Sequence, residues 1–182
     1  MTIAILQFLC YYSSMNSLPV RKSLRLENYD YSLCGAYFLT ICVKDMYCLL
    51  SDIVGSGAPD APQVCLKEYG EVIEKEITKM NGIYENIKTE KYVIMPNHVH
   101  LLVIINNSEY DGASGAPLPT NSLISKYVGT LKHFCNKQYG KNIWQTGFYD
   151  HIIRNEEDMY YHLQYIDENP KKWLIGKDKY YI

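Results

Sequence analysis

The run Met95-Pro96-Asn97-His98-Val99-His100-Leu101-Leu102-Val103-Ile104-Ile105 reads as a β-strand entered through a proline. A strand turns successive side chains to opposite faces. His98 and His100 therefore share a face, their Cα atoms about 6.6 Å apart at a rise of about 3.3 Å per residue. Val99, Leu101 and Val103 take the other face. Two neutral imidazoles at that spacing can converge on one divalent ion. An H-x-H pair alone fits equally well on a surface strand whose outward positions are His.

Working outward, Ala36 to Val43 (AYFLTICV) is aromatic and β-branched, a buried strand. Leu66 to Tyr84 carries apolar residues at 69, 72, 73, 77 and 80, the period of an amphipathic helix, with a solvated charged face. A second helix spans Ser122 to Gln138, its stripe Leu123, Ile124, Tyr127, Leu131 and Phe134 or Cys135. His133 reads as a surface residue of that helix. Asn142 to Arg154 is extended and broken at Gly147. Asn155 then caps a third helix with acids in its first turn, where the macrodipole favours them. Met159, Leu163 and Ile166 are its expected buried face, and Pro170 its expected end or kink. Two Gly/Pro-rich segments, 51–64 and 106–120, both contain Ser-Gly-Ala-Pro and read as tolerated surface loops. This order predicts an α+β fold, an antiparallel sheet with helices packed on it, and a βαβ unit in a ferredoxin-like core fits.

The length of 182 residues, 47% apolar and 21% charged, suits one globular domain. We place that domain at 18–182 and take 1–17 as an N-terminal extension of little functional weight. Ile3 to Cys10 lacks the preceding positive charges of a signal peptide and is too short to span a bilayer. No other segment reads as transmembrane. The net charge of −2 argues against a generally adhesive nucleic-acid binder but leaves room for a local basic groove. Arg21, Lys22 and Arg25 form one basic cluster. Six cysteines show no C-x-x-C pair and no zinc spacing; reduced, largely buried thiols and a cytoplasmic location are expected. With 18 tyrosines, none is marked as catalytic by its presence alone.

On the third helix, Tyr165 and Asn169 stand four apart and share a face, with Tyr161 one turn earlier. A phenol beside a divalent ion is a workable nucleophile toward a phosphoryl group. The Asn169 carbonyl oxygen is a hard ligand suited to Mg²⁺ or Mn²⁺. Spacing alone equally allows a half-buried aromatic and a helix C-terminal Asn before proline.

The block YVIMPNHVHLLVII at 92–105 resembles the signature of the HUH single-strand endonucleases, and among them the REP-associated tyrosine transposases. Ile143-Trp144-Gln145 with Phe148-Tyr149-Asp150-His151 and Ile153-Arg154-Asn155 resembles a second block of that family. Tyr165-Ile166-Asp167-Glu168-Asn169-Pro170 resembles the block that bears its nucleophile. RKSLRLENYDY and AYFLTICV also match, so the likeness runs over 18–175. The resemblance implies a ferredoxin-like HUH core, with His98, His100 and Asn169 holding Mg²⁺ or Mn²⁺. It implies Tyr165 attacking single-stranded, hairpin-containing DNA to give a 5′-phosphotyrosine and a free 3′-OH, so that strand transfer needs no ATP. Lys132, Arg154, Lys171 and Lys172 are the expected phosphate contacts, and Tyr161 is a reserve nucleophile. The expected assembly is a monomer or homodimer.

Three rivals remain open at this point. A silent HUH-fold DNA-binding module tolerates loss of Tyr165. A phosphodiesterase with a metal-bound water makes no covalent adduct. A replication initiator or relaxase shares the core chemistry but fits the second and third blocks less well.

Overall fold

The computed structural model describes residues 29–55, 62–106 and 122–176. Its elements in chain order are β1 (Gly35–Cys42), β2 (Ser51–Val54), β3 (Gln63–Leu66), α1 (Glu68–Ile83), β4 (Ile87–Ile94), β5 (His98–Ile105), α2 (Leu123–Tyr139), β6 (Tyr149–Ile153) and α3 (Glu156–Leu174). The main sheet has the order β4-β5-β1-β6, every neighbouring pair antiparallel. β1 and β4 thus run parallel with β5 between them, which is the split βαβ unit of a ferredoxin-like core. The expected α+β sandwich is the observed fold.

Strand alternation divides β1 and β5 between two cores. Tyr37, Leu39 and Ile41 of β1 and Val99, Leu101 and Val103 of β5 join Ile73, Ile77, Tyr127 and Leu131 of α1 and α2. Phe38 and Leu102 face the other way and pack on Ile166 of α3. Completely burying such a side chain stabilises by about 1.5–3 kcal/mol, so the first cluster carries most of the fold. The second core is small because its face of the sheet carries His98, Thr40 and His100 in place of hydrocarbon.

Four expectations change. A strand that the sequence reading did not place, β4, ends at Ile94, and the strand expected around His98 starts at His98 itself, after a turn closed by Met95 N–H donating to the His98 carbonyl at 2.9 Å. The segment 51–64 is a loop only in part. Ser51–Val54 pairs with Gln63–Leu66 as a hairpin, the second run alternating and the first ending in the β-branched pair Ile53-Val54, and Ser51 Oγ anchors it to the Ile94 carbonyl. Pro170 neither ends nor breaks α3, which continues to Leu174. Burial of Ile166, Asn169 and Pro170 against the sheet outweighs the one helical hydrogen bond that proline cannot make. Cys42 and Cys135 are buried as expected, but Cys34, Cys48 and Cys65 are exposed thiols. Residues 1–17, the cluster Arg21, Lys22 and Arg25, Cys10 and most of loop 106–120 lie outside the described residues. No described helix is long and apolar enough to cross a membrane.

α1 enters the core through a close approach. A Cβ on Gly70 lands 2.1 Å from the Leu50 carbonyl oxygen, and that carbonyl already accepts from Lys67 N–H at 2.9 Å. Gly70→Ala should therefore lower unfolding free energy by about 2–3 kcal/mol, overpacking outweighing the gain in helix propensity of about 1 kcal/mol. Urea unfolding at fixed m-value checks this.

Candidate active site

Three strands and one helix build the site. Register across β5, β1 and β6 sets His100 opposite Thr40 and Thr40 opposite Tyr149; the next row sets Leu102, Phe38 and His151 side by side. These side chains share the sheet face that α3 covers. Helical geometry places Asp158, His162, Tyr165 and Asn169 within an arc of about 60° on α3.

His98 and His100 are essentially inaccessible to solvent, and their Nε2 atoms stand 3.1 Å apart. Each ring is pinned at Nδ1: His98 donates to Asn97 Oδ1 at 2.7 Å, and His100 meets Thr40 Oγ1 at 2.8 Å. Because Asn97 Oδ1 only accepts, the His98 proton sits on Nδ1 and its Nε2 presents a lone pair. The Thr40 hydroxyl can donate or accept, so His100 can turn a lone pair to the same point. The Asn97 carbonyl also accepts from Val43 N–H at 2.8 Å, which fixes the turn that feeds these rings.

Asn169 is wholly buried beside His98, close enough to act on that imidazole, yet neither its Oδ1 nor its Nδ2 makes a hydrogen bond of good geometry among the described residues. An unsatisfied carboxamide in such a place costs about 1–3 kcal/mol. The donor set fits a divalent ion. Two cis ligands about 2.1 Å from one ion lie about 3 Å apart, and the orphaned carboxamide has an oxygen to give.

Burial pushes the His98 pKa down to about 3, a contact with the Asn169 side chain opposing it. The unfolded chain, with His near 6.5, binds a proton there that the folded chain does not. The stability this contributes is present above pH of about 6.5 and is lost as pH falls toward about 3. In the metal-free chain, unfolding free energy should drop by about 2 kcal/mol between pH of about 7.5 and about 5 through this group. His98→Gln should flatten that slope in urea titrations.

Tyr165 is half-buried, its ring edge-on to Phe38 (centroids 5.8 Å apart) and to His100 (5.3 Å). Lys172 Nζ lies 4.6 Å from the ring centroid and pairs with Glu168 at 3.1 Å. Trp173, on the turn beyond Pro170, packs toward His98 at 6.3 Å between rings. A cleft of about 230 Å³ opens in front of this group, lined by Phe38, Thr40, His100, Tyr149, Tyr161 and Tyr165 among others. Tyr161 is 60% exposed on its rim, its ring 6.4 Å from that of Tyr165.

The expected basic residues scatter. Arg154 is exposed where α3 begins, Lys171 is exposed in its last turn, and Lys172 lies against Tyr165. Lys132 is a correction. Its ammonium donates to the Gln145 carbonyl at 2.8 Å and to that of Gly147, and burial lowers its pKa to about 8. It braces the turn that leads into β6, its ammonium taken up by two backbone carbonyls where a solvated cation was expected. His133 is a surface residue of α2, as expected.

The same cleft holds a group that sequence reasoning missed. Asp158 meets His151 Nε2 at 2.9 Å, His162 Nδ1 at 3.1 Å and Arg154 N–H at 3.0 Å. These could be a metal cluster by residue type. The two imidazoles are stacked, however, with 21° between planes and 4.5 Å between centroids. An imidazole lone pair lies in its ring plane, and planes so nearly parallel do not meet at bonding distance of both nitrogens. Asp158 is instead a shared acceptor. Burial acts to raise its pKa but is outweighed by the His151 bond, the Arg154 N–H and the two imidazoles, which hold the carboxyl below the usual range. The spacing 158, 162, 165, 169 was the available signal, hidden because Tyr161-Tyr165-Asn169 has the same period.

No family model matches the chain. It is 29% identical to an uncharacterised Haemophilus influenzae protein over 177 residues, 89% of this chain and 93% of that one. A second protein of that organism, provisionally named a REP-associated tyrosine transposase, is 27% identical over 158 residues, 81% and 77% of the two chains. The REP-associated tyrosine transposase of Escherichia coli K12 is 31% identical over 81 residues, 44% of this chain and 42% of its own. Among solved structures, a REP-associated tyrosine transposase bound to a REP hairpin matches with a TM-score of 0.58 at 23% identity, over 85% of this chain and 77% of that one. The chain is thus a homologue of proteins so named, and it shares their fold.

Proposed function

We propose that this chain, as a relative of the REP-associated tyrosine transposases, is a DNA-processing enzyme of the transposase type that nicks and joins single strands by tyrosine transesterification. His98, His100 and Asn169 are its divalent-metal ligands and Tyr165 is its nucleophile. The observation that carries this reading is the convergence of two pinned imidazole nitrogens and an orphaned buried carboxamide beside a half-buried phenol.

Tyr165 attacks a backbone phosphorus; the tyrosyl O–P bond forms as the P–O3′ bond breaks, leaving a 5′-phosphotyrosine and a free 3′-OH. The reverse attack by a 3′-OH rejoins a strand, and one phosphodiester is made for each one lost. His98, His100 and Asn169 would hold Mg²⁺ or Mn²⁺, which when bound would supply Lewis-acid stabilisation of charge on the phosphoryl oxygens. Phe38 and Lys172 hold the Tyr165 ring, and Lys172 offers its positive charge to a phosphate at the cleft. The substrate in this reading is single-stranded DNA next to a hairpin, and it is supported by the protein of similar fold that is solved bound to a REP hairpin.

The test is covalent capture. Purified chain, Mn²⁺ and hairpin oligonucleotides labelled at the 5′ or the 3′ end are resolved on a denaturing gel. A metal-dependent protein adduct carrying only the 3′ label is expected. Clean nicking without adduct points to a water nucleophile, and binding without cleavage to a silent module.

A further inference from the structure

The geometry assigns His162, held by Asp158, as the proton carrier of the cleft; the inference rests on the tyrosine reading above. Three residues fix the ring. Phe38 lies against it at 4.7 Å between centroids, His151 stacks at 4.5 Å, and Nδ1 meets both the Asp158 carboxylate at 3.1 Å and the Asp158 carbonyl at 2.9 Å. The side chain is only 12% exposed. With acceptors on both contacts, Nδ1 carries the proton, and Nε2 is left with its lone pair in a ring that lines the cleft. A carboxylate that fixes the tautomer and stabilises the imidazolium is the arrangement by which histidine serves as both base and acid.

The reaction needs such a group. A free phenol loses its proton near pH 10, and the departing 3′-oxygen must gain one. His98 and His100 are spent on the ion in the proposed site. The other titratable groups facing His162 are Asp158, its acceptor, His151, stacked and bonded to the same carboxylate, and Tyr161 on its own helix. Tyr165 stands one turn further along the same helix, and Tyr149, Asp150 and His100 line the cleft from the strands. As the tyrosyl O–P bond forms, the phenolic proton passes to His162 Nε2; as the P–O3′ bond breaks, the imidazolium passes a proton to O3′. No net proton is gained or lost, and rejoining runs the same transfers backwards.

The experiment compares single-turnover cleavage of a hairpin oligonucleotide with that of the same strand bearing sulfur in place of the bridging 3′-oxygen. A thiolate leaves without protonation. His162→Gln and His162→Asn both remove the imidazole, and Asn keeps an amide donor near the Nδ1 position for Asp158. Each should lose about 10²–10³-fold on the oxygen substrate and recover only part of that loss on the sulfur substrate, where the leaving group needs no proton but the phenol must still give one up. Asp158→Asn should lie between. Equal loss on both substrates overturns the transfer to O3′, and with it the carrier role. No loss on either does the same. A wild-type chain that forms no adduct with either substrate overturns the tyrosine reading itself, a failure distinct from those two.

Discussion

Tyr165→Phe should abolish covalent capture of single-stranded DNA while leaving the fold intact. Contacts that hold this ring include edge-on packing with Phe38 and His100 and the Lys172 ammonium over its face. These ring contacts survive in phenylalanine. Removing a nucleophile outright costs on the order of 10⁴-fold or more in rate. Tyr161 does not replace it, being 60% exposed on the rim with its ring 6.4 Å from that of Tyr165. Single-turnover cleavage should fall below detection while the thermal midpoint moves by no more than about 2 °C. Undiminished adduct in the variant would move the nucleophile elsewhere.

Asn169→Leu should push stability and activity in opposite directions. The carboxamide is buried with both polar atoms unpartnered, so an apolar side chain of similar volume removes a desolvation cost of about 1–3 kcal/mol. In EDTA the variant should unfold at higher urea than wild type by that margin. The same change deletes the proposed third ligand, and metal-dependent adduct formation should drop by about 10²-fold or more. A structural asparagine gives the contrary pair, a destabilised variant that still cleaves. Residues kept at a cost to folding are those the chemistry uses.

How much of this was legible in the sequence follows from which periodicities were in play. The H-x-H strand was readable because period 2 puts both imidazoles on one face whatever the neighbours are, and β5 obeys it. The partners that pin them were not. Thr40 reaches His100 from sixty positions earlier in the chain, and antiparallel register cannot be read from one strand. Pro170 misled because local backbone rules favour a helix end there; burial of its neighbours against the sheet overrode them. Lys132 misled because a cation on an amphipathic helix looks solvated, whereas the turn at 145–147 folds back to take its charge. The Asp158 to His162 step was visible as a spacing of four, yet its meaning depends on His151 arriving from β6. Tertiary contacts supplied what spacing could not.

The most direct test of the central claim is to locate the covalent bond. Trypsin cleavage after Arg154 and Lys171 releases one peptide that contains Tyr160, Tyr161 and Tyr165 together. Fragmentation of that peptide from the Mn²⁺-dependent DNA adduct, after nuclease trimming, should place a nucleotide phosphate on Tyr165. The same phosphate on Tyr160 or Tyr161, or an unmodified peptide from a chain that has cleaved its DNA, would contradict the account.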